Sequence, residues 1–152
     1  MAELKSELLG ELSVDLEEPL EVGATPHGVR RIYQVKGGTF EGPKLKGQVL
    51  PGGGDWLLLR PDGAGELDVR ATMRTDDGHI IYVYYRGILH GPPDVAARIL
   101  RGEAPDPSEY YFRTAPVFET ASEKYGWLNR IVAVGVGKIG PNWVGYTVYA
   151  IL

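Results

Sequence analysis

Between Leu8 and Leu16 the chain alternates, with Leu8, Gly10, Leu12, Val14 and Leu16 on one side and Leu9, Glu11, Ser13 and Asp15 on the other. That period of two marks a half-buried strand. A second strand spans Val29 to Phe40, interrupted by Gly37-Gly38, where a bulge or the close approach of another backbone or a ligand is expected. Short strands at Lys44–Leu50 and Asp55–Arg60 flank a Pro51-Gly52-Gly53-Gly54 turn. Asp62-Gly63 and Asp77-Gly78 supply the positive φ that tight hairpin loops require. They bracket the clearest meander: Leu67, Val69, Ala71 and Met73 face one way, while Asp68, Arg70, Thr72 and Arg74 face the other. His79 to Leu89 is the returning strand, and its run of Tyr82, Val83, Tyr84 and Tyr85 predicts burial on both faces.

Helical signals are few. Pro93 to Arg101 reads as one short helix, with proline in the first turn, Asp94 at the positive dipole end, Arg98 and Arg101 at the negative end and Gly102 at the exit. It is expected to act as a lid or plug. Glu109 to Asn129 is the stretch on which the rest is expected to centre: a strand over residues 110–115, a bend at Pro116, a resumption through Glu119, and a helical turn near 121–127 opened by a Thr120-x-x-Glu123 capping box. Two final strands, Arg130–Lys138 and Trp143–Leu152, meet at Gly140-Pro141-Asn142. Such a series of antiparallel strands is best closed on itself, because closure removes exposed edges. The expected fold is all-β, an antiparallel barrel of about eight to ten strands in a single domain over residues 1–152; a two-sheet sandwich is the alternative. A barrel of about eight strands has room for one small ligand.

Composition narrows the partners. With 16 basic against 20 acidic residues and no basic run longer than Arg30-Arg31, a nucleic-acid partner is not expected. The chain has no cysteine, so it has no disulfide framework and no thiolate chemistry. Neither a leader-like N-terminus nor a membrane-length apolar run is present, which points to a cytoplasmic protein without a membrane partner.

Several ordered blocks resemble a known family: Lys36-Gly37-Gly38-Thr39-Phe40-Glu41-Gly42-Pro43, Leu50-Pro51-Gly52-Gly53-Gly54-Asp55-Trp56, Arg70, Thr75-Asp76-Asp77-Gly78, Tyr111-Phe112-Arg113-Thr114, Phe118-Glu119-Thr120 and Trp127-Leu128-Asn129. Together they look like the domain-of-unknown-function 3237 (DUF3237, UPF0311) family, over a span from about Leu12 to the end. The resemblance implies a lipocalin-like antiparallel β-barrel and brings no settled activity.

The polar members of those blocks are the site candidates. Arg70 and Arg113 offer bidentate hydrogen bonds to a carboxylate or enolate, Glu119 and Asp55 are candidate general bases, and Trp56, Trp127, Asn129 and Tyr84 complete a wall for a flat or acidic ligand. The alternative for each is structural, in ion pairs such as Arg113–Glu119 or Arg70–Asp55 that only tie strands together. Arg70 also lies opposite the apolar face of its own strand, so it lines the interior only if that interior is polar. Other chemistries fit less well. Gly37–Lys44 lacks phosphate-loop spacing, Asp76-Asp77-Gly78 lacks the ligands of a calcium loop, His27, His79 and His90 share no metal spacing, and no serine sits in GxSxG. Neither a metal nor a cofactor is expected. Three functions remain open: a small-molecule-binding barrel, a cofactor-independent isomerase, lyase or hydratase with a carboxylate base, and a homo-oligomeric interaction protein with a filled barrel.

Overall fold

The alternating segments do form strands, and the strands close on themselves. The computed structural model describes residues 1–152 and contains eleven strands: β1 (Ser6–Leu16), β2 (Leu20–Thr25), β3 (Gly28–Glu41), β4 (Lys46–Val49), β5 (Gly54–Leu59), β6 (Gly65–Thr75), β7 (Ile80–His90), β8 (Tyr111–Thr114), β9 (Val117–Glu119), β10 (Val132–Gly140) and β11 (Trp143–Ile151). One helix, α1 (Pro93–Leu100), follows β7. Every pairing is antiparallel, and the circuit runs β3–β1–β11–β10–β8–β7–β6–β5 and back to β3, a closed barrel of eight staves. Eleven strands give eight staves because two positions are shared. At one end β5 sits between β3 and β6, and at the other β4 takes its place; likewise β8 and β9 each pair with β7 at opposite ends. β2 stands outside the circuit against β3. None of the helices is long and apolar enough to cross a membrane.

The period-two pattern fixes which side chains enter the barrel. On β6 the inward set is Leu67, Val69, Ala71 and Met73, all buried as their alternation predicts, and on β7 it is Ile81, Val83 and Tyr85. Expected burial on both faces of β7 does not hold: Tyr82 and Tyr84 are half-buried on the outer surface. On β1 the apolar face begins one residue off, because the register with β11 shifts between Leu8 and Gly10, which turns Leu9 inward and leaves Leu8 exposed. Gly37-Gly38 marks a close approach as expected: a Cβ on Gly38 would run into the Ser13 carbonyl of β1, and the β1–β3 register shifts just beyond.

The two ends of the barrel differ. Leu9, Phe40, Leu45, Val49, Met73, Ile81 and Leu128 are all buried in the core, and they fill the end where the β6–β7 hairpin lies. Residues 120–130 close that end. They do not form the capped helical turn expected near 121–127 but a 3₁₀ turn over Gly126–Arg130, while Thr120 Oγ1 accepts the Ser122 N–H (3.2 Å) and donates to the Ile80 carbonyl (2.7 Å). Tyr125 donates to Asp77 at 3.0 Å, so the 120–130 segment is fastened to the β6–β7 hairpin. β2 escapes the hydrophobic pattern because it has no core face: its residues are exposed or half-buried throughout.

Candidate functional site

At the other end the staves enclose a cavity of about 950 Å³, with α1 lying across part of its mouth. Leu57, Leu59, Leu67, Phe112 and Val144 give it an apolar wall, and Ala96, Ala97 and Ile99 of α1 contribute the cover. The helix forms where the sequence predicts it, with Pro93 in its first turn and Arg98 in its last. Val95 is buried and anchors it to the barrel. Phe112 can lie flat across the floor because the facing strand carries Gly137, where a Cβ would come within 2.6 Å of its ring. Phe112 packs edge-on against Tyr146 (centroids 5.4 Å apart), and the Tyr85 hydroxyl donates to that of Tyr146 at 3.1 Å, with both tyrosines fully enclosed.

Asp55 is the one carboxylate set into this apolar wall. It is only 8% exposed. The β5–β6 ladder pairs Asp55 with Val69 and resumes at Leu58–Glu66; across the gap Asp55 Oδ1 accepts the Asp68 N–H at 3.1 Å. On the β3 side Arg30 Nη1 donates to the Trp56 carbonyl at 2.8 Å. These side chains satisfy backbone groups that a regular ladder would have paired. Asp55 makes no other side-chain hydrogen bond, so Oδ2 is left to the cavity. Burial pushes its carboxyl up to about 7; the Asp68 N–H and Arg30 oppose that rise, while the Asp68 carboxylate, whose own Oδ1 is buried without a partner, adds to it.

Directly across the β3–β5 ladder from Asp55 stands Tyr33. Two residues before it on the same face is Arg31, whose Nη1 donates to the Tyr33 hydroxyl (3.2 Å) and whose Nε meets Glu21 of β2 at 2.8 Å. All four line the cavity, as does Trp143. Arg31 and Tyr33 were missed as candidates although the signal was present. Arg31, Tyr33 and Val35 share a face of β3, and a buried Val35 turns the other two inward.

Of the residues expected to converge, only Asp55 reaches this cavity. Arg70 lies on the outer surface, where its Nη1 donates to Tyr82 (2.6 Å) and its guanidinium stacks 4.7 Å from the Tyr84 ring. It therefore pairs with tyrosines and not with Asp55. Trp56, 38% exposed, points away from the lumen because Asp55 and Leu57 on either side point into it. Arg113 folds back onto its own strand, donating to the Phe112 carbonyl (2.9 Å) with its guanidinium 5.2 Å from the Tyr111 ring. Glu119 is exposed, since Phe118 takes the inward position on β9. Trp127 packs half-buried at the filled end with Lys44 5.3 Å from its ring. Asn129 clamps that end: its Oδ1 accepts the Thr120 N–H (2.8 Å) and its Nδ2 donates to the Thr120 carbonyl (2.9 Å). The common physical reason is parity. Arg70, Arg113 and Trp56 each sit on a strand next to, and so opposite, an apolar residue that claims the interior, whereas Trp127 lies in the 3₁₀ turn that closes the other end.

The family described as a protein of unknown function, DUF3237, matches residues 4–151. The chain belongs to the DUF3237 family. Among curated relatives of this DUF3237 barrel, a UPF0311 protein of Rhodopseudomonas palustris is 38% identical over 138 residues, covering 91% of this chain and 88% of that one. A crystal structure of a conserved R. palustris protein of unknown function superposes with a TM-score of 0.97 at 34% identity, covering all of both chains. A beta-barrel like protein from Acinetobacter baumannii gives a TM-score of 0.87 at 38% identity, covering 100% of this chain and 98% of that one. The barrel is shared more widely: an enzyme from Penicillium herquei has a TM-score of 0.75 at 22% identity, covering 100% and 97%.

Proposed function

We propose that this DUF3237 protein binds a small, largely apolar organic molecule in the cavity beneath α1. The observation that carries this reading is a 950 Å³ space that opens between one end of a barrel and a short helix, in a molecule whose other end is tightly filled. Pockets of this size, mostly hydrocarbon with a few convergent polar groups, are the usual form of a small-molecule site. Leu57, Leu67 and Phe112 take the body of the ligand, and Asp55, Tyr33 and Arg31 orient its polar end. Native mass spectrometry of freshly purified protein tests this. A retained metabolite that is lost on Ala97→Trp, which fills the cavity from α1, supports the reading; an empty protein that also binds nothing in a metabolite screen defeats it.

A second reading is catalytic, and Asp55 favours it. A carboxyl pushed up to about 7, with one oxygen tied to a backbone N–H and the other unpartnered toward the cavity, exchanges protons readily near neutral pH. In this reading it serves as the acid–base group of a cofactor-independent isomerase, lyase or hydratase. Asp55→Asn then abolishes turnover of a bound substrate while leaving its binding in place.

A further inference from the structure

We infer that the ligand of this cavity is an organic cation, a protonated amine on an apolar body. The inference rests on the pocket reading above and concerns the charge of the occupant.

Most of the charges around the cavity are already satisfied. Two arginines line it, and both are paired with glutamates: Arg31 with Glu21 at 2.8 Å, and Arg101 with Glu103 at 2.9 Å. Asp62 at the rim is likewise held by Arg60 at 2.6 Å. Two lining carboxylates have no cation. Glu18 at the mouth only accepts a hydrogen bond from Asn142 Nδ2 (2.7 Å), and Asp55 within accepts only the Asp68 N–H. Every fixed positive charge facing the cavity is spoken for, while its deepest ionisable group is an acid with a free oxygen. Where Asp55 is ionised, a carboxylate or phosphate entering there would face it across a poorly solvated space, and like charges so placed repel strongly. An ammonium finds the opposite. It has Asp55 Oδ2 to donate to, Glu18 on its path inward, and the rings of Tyr33 and Trp143 in the wall, which attract cations through their faces.

Proton balance follows from the same geometry. Below about pH 7 the Asp55 carboxyl carries a proton, and an incoming ammonium displaces it, so binding releases one proton to solvent. The titratable and charged groups around Asp55 are Tyr33 and Arg31 on the inner face of β3, Arg30 on the outer face of that strand, Asp68 from β6, Tyr85 from β7 and Tyr146 from β11. Burial pushes the phenols of Tyr85 and Tyr146 up, so both stay protonated across neutral pH. His90 lies at the rim of the cavity.

Calorimetry with a matched series tests the inference: 2-naphthylmethylamine, 2-naphthylmethanol and 2-naphthoate, titrated into the intact protein from pH 6 to pH 8. The expected order is amine first and carboxylate last. Affinity for the amine should rise roughly tenfold over that range, as the ionised fraction of Asp55 rises, while affinity for the alcohol changes little. In Asp55→Asn, which keeps the shape of the side chain, both the amine preference and its pH slope should vanish. Binding of the carboxylate as tightly as the amine overturns the inference and leaves the pocket reading intact. So does a pH slope that survives Asp55→Asn. If none of the three binds, or if Ala97→Trp binds them as well as the unchanged protein, the pocket reading fails and the inference with it.

Discussion

The two ends of this barrel are built from the same strands and use them differently. At the end closed by residues 120–130 the interior is hydrocarbon apart from Thr75, whose hydroxyl accepts the His79 N–H, and Leu128, 1% exposed, completes it. At the end under α1 the same staves diverge around Asp55, Tyr33 and Arg31. The contrast shows that a closed sheet can place its stability at one end and its polar chemistry at the other. A chain segment can thus carry many of a family's signature blocks and still belong to the structural half. Thr120, Trp127 and Asn129 are of that kind: their hydrogen bonds and packing close the filled end.

Truncation should separate the ends most sharply. Leu128→Ala is expected to cost about 3–4 kcal/mol in urea unfolding, since it leaves a void in a packed core, whereas Leu57→Ala, which already faces open space, should cost about half as much. Equal losses would mean that the ends are equally packed.

Asp55 sharpens the comparison through pH. Its carboxyl is raised in the folded protein from an ordinary value of 3.8 to about 7, so the folded state holds a proton that the unfolded chain releases. The stabilisation is therefore fully present below about pH 4 and is lost as pH rises through about 7. Asp55→Asn should remove that slope and stabilise the protein at pH 8 by roughly 2–4 kcal/mol. A wild-type stability profile that is flat or rising between pH 4 and pH 7 in this comparison would count against a desolvated Asp55.

Asn129→Ala removes both hydrogen bonds to Thr120 at an exposed position, and about 1 kcal/mol should be lost without any effect on ligand binding. The smallest effects are expected on the outer wall. Arg70→Ala and Glu119→Gln should each change stability by less than about 0.5 kcal/mol and leave binding unaltered. A large loss of binding in either would move the site outside the barrel.

Much of the fold was legible because alternation is a local signal. Leu12-Ser13-Val14 and Leu67 through Met73 declare which face is buried without knowledge of any partner strand. The site was less legible. Conspicuous residues crowd Glu109–Asn129, yet the same alternation rule assigns Arg113 and Glu119 to the outside as soon as Phe112 and Phe118 are placed within. Arg31 and Tyr33 follow from that rule too, given Val35. What no local pattern contains is the gap in the β5–β6 ladder beside Asp55, since alternation along one strand does not tell where its pairing with the next strand is interrupted.

The carboxyl of Asp55 is the most direct probe of the hollow end. Its titration can be followed by carbon-13 NMR of the side chain, with Asp55→Asn to assign the signal. A midpoint near 7 is the predicted result. A midpoint in the ordinary carboxylate range, near 4, would show Asp55 fully solvated and would contradict the account of a carboxyl buried in the apolar wall of a ligand-sized cavity.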